Sequence, residues 1–454
     1  MIPQRKLEVQ AFIDEQRFSG FHIRLFLLCF LIISLDGLDT GAMGYLVPSL
    51  IKDWDVSRAA LGPVLSATLV GIGIGAMLVS PVADRIGRKR VLIGSVFVFG
   101  AFTVAAAFTT SLEMLMVMRF LTGIGLGAAV PNTVTLMAEY VPTRIRGTVV
   151  NSMLMGFALG NAMGGLMTAW LIPHFGWRSV LIVGGVLPVL LSLILIRRLP
   201  ESVKFLVANQ RGRQEAVGIL RRIAPAAKLD DVALVCEEDL AHGRKSPISE
   251  LFGKRYAVGT SMLWLCYFMC MMILYLVNNW LPTLFTVSGF SLHDSTITAT
   301  LFHIGGCAGI LLAGLLTDRF PPTRVVAAYF LVAAGIALVI DHHVSQGSGL
   351  TVLIIIMGVA VSGASASMSP LAAHYYPTTS RVTGVAWMLG MGRFGGVAGT
   401  LGGAMLLGIG WDFGAIFSLL AIPAVIAALS LLVLGRNEAQ QEQKECVGSP
   451  VAEH

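Results

Sequence analysis

Residues 80–89 read Ser80-Pro81-Val82-Ala83-Asp84-Arg85-Ile86-Gly87-Arg88-Lys89, between two apolar runs of membrane-spanning length. Further along, after another such run, Gly314-Leu315-Leu316-Thr317-Asp318-Arg319 brings the Asp-Arg pair back 234 positions later. A second match agrees: Glu139-Tyr140-Val141-Pro142-Thr143-Arg144-Ile145-Arg146 aligns with His374-Tyr375-Tyr376-Pro377-Thr378-Thr379-Ser380-Arg381, where Pro and Arg both shift by 235. Two independent matches at nearly one spacing indicate a duplicated bundle of six helices.

The sequence on either side of these loops is that of a membrane protein. Of 454 residues 55% are hydrophobic and 13% charged, whereas soluble domains carry roughly a quarter charged residues. Apolar stretches recur along almost the whole chain, and at roughly 20 residues per crossing they leave only short connections. The expected fold is all-α and polytopic, with about twelve transmembrane helices in two six-helix halves. The boundaries read as an N-terminal segment 1–21, a first bundle 22–196, a charge-rich linker 197–255, a second bundle 256–435 and a tail 436–454.

The net charge of +6 is a matter of placement. Of the 32 Lys and Arg, 27 fall on the face shared by both termini, 3 on the opposite face and 2 inside helices. By the positive-inside rule both termini are cytoplasmic, and the basic surface marks topology rather than a nucleic-acid partner. Residues 1–21 contain Asp14 and Glu15 and no short apolar core with a small-residue cleavage site, so no removed signal peptide is expected. None of the six cysteines falls in an external loop, and Cys266 and Cys270 share a helix face without a His or an acid, so neither disulfide nor metal is expected. Gly390-Met391-Gly392-Arg393-Phe394-Gly395 fits the dinucleotide pattern, but it lies inside an apolar helix rather than after a strand. No enzyme motif stands out.

Four formally charged side chains lie deep in helices: Asp36, Asp39, Arg119 and Arg393. Each costs at least about 2.5–3.5 kcal/mol on insertion scales, so each calls for a partner or a function. Asp36 and Asp39 are three apart and share a helix face. The depth of Asp36, and that of Arg119, allow contact at about 1.5 Å of rise per residue; Arg393 comes near mid-membrane in the other half. The 234-residue shift takes Asp36 to Cys270, Asp39 to Ile273 and Arg119 to Leu353, and takes Arg393 back to Leu159. Gating motifs are duplicated and buried charges are not, which favours function over inherited structural pairing. An arginine presents a planar fork suited to a carboxylate, and a buried aspartate can gain and lose a proton. Arg393, with Arg119, is therefore expected to hold an anion, and Asp36 and Asp39 to carry the proton while Arg119 is shared between them and the substrate.

The loop at 80–89 resembles the Gly-x-x-x-Asp-Arg-x-Gly-Arg-Lys signature of the major facilitator superfamily, with Ser80 in place of its first Gly and a second copy that ends in Phe320-Pro321-Pro322. Leu35-Asp36-Gly37-Leu38-Asp39 resembles the Asp-Gly-x-Asp helix of the aromatic acid:proton symporter family, and the chain is most similar to its 4-hydroxybenzoate and protocatechuate permease branch. That resemblance implies proton-driven uptake of a small aromatic carboxylate across the bacterial inner membrane, with no cofactor. It also implies that Asp36, Asp39, Arg119 and Arg393 are important for transport. The loops with Asp84, Arg85, Arg88, Asp318 and Arg319, together with Glu139 and Arg381, read as gating elements able to pair across a helix end as the halves rock. Trp264, Tyr267, Phe268, Trp280 and Trp387 are candidate walls for an aromatic ring. Asn278 and Asn279 can bind a ring hydroxyl or a neighbouring helix, and His303 suits packing. Glycines at 71, 73, 75, 123, 125, 127, 156, 160 and 164 read as close helix packing. The competing readings are a proton-coupled transporter of another small organic anion, an exporter on the same fold, and a sensor of aromatic compounds with a role in chemotaxis.

Overall fold

The computed structural model describes residues 5–208, 212–225, 232–235, 251–253, 256–343, 347–376 and 380–448. A strand β1 (Arg5–Glu8) and a short α1 (Val9–Asp14) precede the first long helix, α2 (Gly20–Trp54). Helix α3 (Arg58–Ile74) continues through a π turn (Gly75–Val79) and a 3-10 turn (Ser80–Val82) into the single turn α4 (Ala83–Ile86). Then follow α5 (Arg88–Ala106), α6 (Leu112–Tyr140), α7 (Thr143–Phe175) and α8 (Trp177–Arg198). Short helices α9 (Val203–Ala208) and α10 (Arg213–Ile223) and strand β2 (Val232–Val235) lead to the second set: α11 (Ala257–Val287), α12 (Leu292–Thr317), α13 (Pro322–His343), α14 (Gly347–Tyr375), α15 (Arg381–Gly408) and α16 (Phe413–Gly448).

Among the described residues, eleven helices are long and apolar enough to cross a membrane. The twelfth long helix, α15, spans 28 residues and carries Arg393 and many glycines, which lower its mean hydropathy. The protein is thus an all-α, multi-pass membrane protein. Ser111 and Ser291 start α6 and α12 by accepting hydrogen bonds from the backbone N–H groups of Met114 and Asp294. The turn between α7 and α8 is a single residue, Gly176, whose φ of +76° is a backbone glycine adopts without strain. Helix α16 continues to Gly448, through most of the segment read as a tail; residues 436–447 contain good helix formers and no Gly or Pro to stop them.

Contacts divide the chain into two compact units, Met1–Ala42 with Ala67–Arg244, and Met43–Ser66 with Lys245–His454. The second therefore gathers in the end of α2 and the start of α3, which a division at the linker would leave with the first. In the first unit β1 pairs in parallel with β2, Arg5 opposite Val232 and Glu8 opposite Val235, so the N-terminal segment and part of the linker form one small ribbon.

The duplication is visible in backbone packing within each unit. In the first, a Cβ at Gly71 would strike the carbonyl of Phe120, and one at Gly123 the carbonyl of Thr68, so α3 and α6 touch backbone to backbone. In the second, Gly305 meets the carbonyl of Ile355 and Gly358 that of Phe302 in the α12–α14 pair. Similarly Gly160 of α7 sits on the carbonyl of Ser34 in α2, and Gly395 of α15 on that of Phe268 in α11. Each residue in one pair maps to its counterpart by a shift of 234 or 235. Gly73, read from the sequence as a packing residue, has no atom within 4 Å of a Cβ placed there.

Candidate functional site

In the first unit, Asp39 and Arg119 meet. Arg119 is fully buried and Asp39 is 2% exposed. The guanidinium donates from Nη1 to Asp39 Oδ1 at 3.1 Å and from Nη2 to Oδ2, a two-pronged, charge-assisted pairing. Arg119 Nε donates to Thr68 Oγ1 at 3.3 Å, and Thr103 Oγ1 donates to Asp39 Oδ1 at 3.0 Å. Three helices thus hold the pair to α2. Asp36, one turn earlier and 8% exposed, accepts a long 3.5 Å hydrogen bond from Thr40. Two carboxylates on one buried face therefore differ: Asp39 is locked in a fork, whereas the Thr40 bond to Asp36 is weak by geometry.

The backbone register of the duplication puts Ile273 at the counterpart of Asp39 and Ile354 at that of Arg119, one residue on from the sequence alignment. Both isoleucines are fully buried. The second unit accordingly fills with aliphatic side chains the place where the first holds an ion pair.

In the second unit, Arg393 of α15 donates from Nη1 to the hydroxyl of Tyr275 on α11 at 3.2 Å. Asn278 lies three residues beyond Tyr275, on the neighbouring helix face. It is 6% exposed, and neither its Oδ1 nor its Nδ2 has a hydrogen-bond partner among the described residues. Asn279 behaves differently: its Nδ2 donates to Thr400 Oγ1 at 2.9 Å, and the adjacent Trp280 donates from Nε1 to the Thr400 carbonyl at 2.9 Å. Asn279 and the fully buried Trp280 therefore tie α11 to α15 and are taken up by packing. Trp387, 46% exposed, stacks on Trp264 with ring centroids 5.8 Å apart and an interplanar angle of 13°. The Tyr267 ring packs on Gly392, beside Arg393. Arg119 and Arg393 fall in different units.

In the first unit the loop motif enters a cluster of ion pairs and hydrogen bonds. Arg88 Nε pairs with Glu139 Oε1 at 3.0 Å, and its Nη2 lies 3.4 Å from Asp84. Ser202 Oγ donates to Glu139 Oε2 at 2.5 Å, and Glu201 Oε1 accepts from the backbone N–H groups of Lys89 at 3.0 Å and Ser202 at 2.9 Å. Tyr140 donates its hydroxyl to the Glu201 carbonyl. Arg85 is exposed. In the second unit Asp318 and Arg319 are exposed and form no ion pair among the described residues, and Arg381 Nε makes only a 3.5 Å bond to the Tyr376 carbonyl. The asymmetry has a plain cause: the counterpart of Glu139 is His374, and Phe320-Pro321-Pro322 brings no arginine where the first loop has Ile86-Gly87-Arg88.

The model of the Major Facilitator Superfamily matches residues 29–340 and 263–449. The chain belongs to the Major Facilitator Superfamily. This facilitator is 44% identical over 431 residues to the 4-hydroxybenzoate transporter PcaK of Pseudomonas putida, covering 95% of this chain and 96% of the relative. It is 42% identical over 430 residues to a gallate transporter of Pseudomonas putida, covering 94% and 95%. Its fold superposes on the partially occluded inward-open xylose transporter XylE from E. coli with a TM-score of 0.70 at 18% identity, over 90% of this chain and 98% of that one.

Several partners in this facilitator escape sequence reading. Thr68 and Thr103, which complete the Asp39–Arg119 cluster, look like ordinary polar residues of apolar helices. Tyr275 carries no charge to draw attention. Glu201 and Ser202 stand in a recognisable Leu199-Pro200-Glu201-Ser202 stretch, but their contacts with Lys89 and Glu139 span 112 and 63 positions.

Proposed function

We propose that this protein takes up a small aromatic carboxylate of the hydroxybenzoate class, driven by protons and by alternating access. The observation that carries the reading is the Asp39–Arg119 pair: a fully buried fork, present in one half and replaced by two isoleucines in the other. The 44% identity to a 4-hydroxybenzoate transporter supports the substrate class. The protein is a transporter and not an enzyme.

On this reading Arg393 exchanges the Tyr275 hydroxyl for the substrate carboxylate, gaining an ionised acceptor in place of a neutral one. Asn278, with both amide atoms unbonded among the described residues, offers a donor and an acceptor to a ring hydroxyl. Arg119 is shared between Asp39 and the incoming anion. When the anion draws it away, a buried carboxylate is left without its counter-charge, and taking up a proton relieves it. Asp36 on the same face passes that proton on. Binding of the anion and of the proton thereby favour one another, which is coupling. The Arg88–Glu139–Ser202 latch belongs to gating, with Asp84, Arg85, Asp318, Arg319 and Arg381 at the ends of the moving helices. The driving force is the proton gradient, with no cofactor. The topology is two six-helix halves joined by residues 197–255 in the bacterial inner membrane, with both termini cytoplasmic, as the placement of Lys and Arg supports.

Uptake of labelled 4-hydroxybenzoate by cells expressing the protein tests the reading. Accumulation that a protonophore abolishes, and that Arg393→Ala removes, is expected. Accumulation of the label by inverted vesicles rather than whole cells would instead make the protein an exporter, and ligand binding without flux would make it a sensor.

A further inference from the structure

Within the second unit, α12, α13 and α14 border an open groove of about 540 Å³, inside the range of about 300–1,000 Å³ typical of small-molecule sites. Its walls include Leu316, Phe320, Val332 and Ile356, which are 38–56% exposed although they sit on or beside membrane-spanning helices. Apolar side chains exposed at such positions front the hydrocarbon, so the cavity is open to lipid tails rather than to water. Arg324 and Tyr329 supply its polar groups. Both lie on α13, and from Arg324 to Val332 the helix climbs about 12 Å at 1.5 Å per residue. The site is therefore a groove with a cation at one end and apolar walls running inward from it.

Two further observations bear on the occupant. First, the Arg324 guanidinium has no hydrogen bond or ion pair among the described residues. The other charges of this loop, Asp318 and Arg319, offset one another, so the mouth of the groove is net positive. Second, the groove exists where the second loop motif departs from the first: Phe320 and Pro321 line it, whereas in the first unit the corresponding stretch brings Arg88 into the latch with Glu139. The stretch that lost its gating arginine has become an apolar wall.

We infer that this groove seats an anionic glycerophospholipid, with an acyl chain along the α12–α14 walls and the phosphate at Arg324. In the topology proposed above, Arg324 lies at the cytoplasmic end of α13, where the leaflet carries anionic headgroups. Basic pockets between helices on that side are suited to such headgroups, and one arginine near the surface contributes enough to favour an anionic over a zwitterionic headgroup about fivefold. The inference does not depend on the transported substrate.

Native mass spectrometry of the whole purified protein, offered phosphatidylglycerol and phosphatidylcholine with identical acyl chains, reads the site directly. Wild type is expected to retain phosphatidylglycerol about fivefold over phosphatidylcholine. Arg324→Gln should remove that preference, Arg324→Lys should keep most of it, and Ala328→Trp, which fills the groove, should lower retention of both lipids. Photo-crosslinking of wild type with a diazirine-bearing phosphatidylglycerol needs no variant to fold, and it should label residues between Leu316 and Val332 or between Ile356 and Ala360. An unchanged preference in Arg324→Gln, labelling elsewhere, or displacement of the lipid by 4-hydroxybenzoate would each overturn the assignment.

Discussion

Replacing the buried ion pair by the residues its own duplicate carries separates structure from function. Arg119→Ile alone leaves the Asp39 carboxylate in a site that is 2% exposed, with only the Thr103 hydroxyl of its present side-chain partners. Breaking a buried pair in this way costs about 3–5 kcal/mol, two to nearly four orders of magnitude in the unfolding equilibrium. Asp39→Ile alone strands the Arg119 guanidinium with Thr68 and should cost about as much. The double variant removes both charges and installs the Ile273/Ile354 arrangement, for which the second unit shows that the duplicated framework has room. Exchange of a buried pair for packed apolar groups is often neutral, or stabilising by about 1–4 kcal/mol. Thermal unfolding in detergent should therefore rank the double variant near wild type and both single variants well below. Uptake of 4-hydroxybenzoate should be lost in all three. A double variant that transports like wild type would reduce the pair to a structural element, and one as unstable as the singles would refute the compensation argument.

Other outcomes follow from the same contacts. Arg393→Lys keeps the charge but loses the fork, and with charge-assisted bonds worth about 1.5–3 kcal/mol the apparent affinity measured by uptake kinetics should fall about tenfold to a hundredfold. Gly160→Ala drives a Cβ into the Ser34 carbonyl and should lower the yield of folded protein, whereas Gly73→Ala, with open space, should be neutral by size-exclusion chromatography. Glu201→Ala removes the acceptor that holds the Lys89 and Ser202 amides and should reduce the maximal uptake rate more than it changes KM. For Asp14, burial alone would raise the carboxyl, but hydrogen bonds from Thr143 and Gln10 and the charge of Arg146 outweigh it and hold the group below its ordinary value of 3.8. Its contribution to docking residues 9–16 on α7 is then complete above pH 3.8 and lost only as pH falls through the lower folded value. A spin label at Glu15 should stay immobile down to that pH in wild type and become mobile near neutral pH in Asp14→Asn.

Much of the fold could be read from the duplicated loops, because the same 234–235 shift that aligns two Asp-Arg pairs also aligns the glycine contacts of α3–α6 with those of α12–α14. A contact between Arg119 and an aspartate of α2 was legible too, since opposite charges at matching depth in hydrocarbon have few other places to go, but which of Asp36 and Asp39 takes it was not. The Tyr275 contact to Arg393 was not, because a hydroxyl on an apolar helix leaves no mark in periodicity. Asn278 and Asn279 look alike in sequence, yet adjacent residues on a helix point about 100° apart, and that rotation sends one to Thr400 and leaves the other unbonded among the described residues. The grouping of Met43–Ser66 with the second unit was likewise hidden, for it arises from contacts between distant segments such as Gly44 with Asn278 and Gly62 with Ala404.

The central claim is that a carboxylate substrate competes with Asp39 for Arg119, so that its binding favours uptake of a proton by the aspartates of α2. Proteoliposomes with an imposed proton gradient measure it directly, comparing uphill accumulation of 4-hydroxybenzoate with its gradient-free exchange for wild type, Asp36→Asn and Asp39→Asn. The account predicts that both variants keep exchange and lose accumulation; accumulation at the wild-type level in either variant would contradict it.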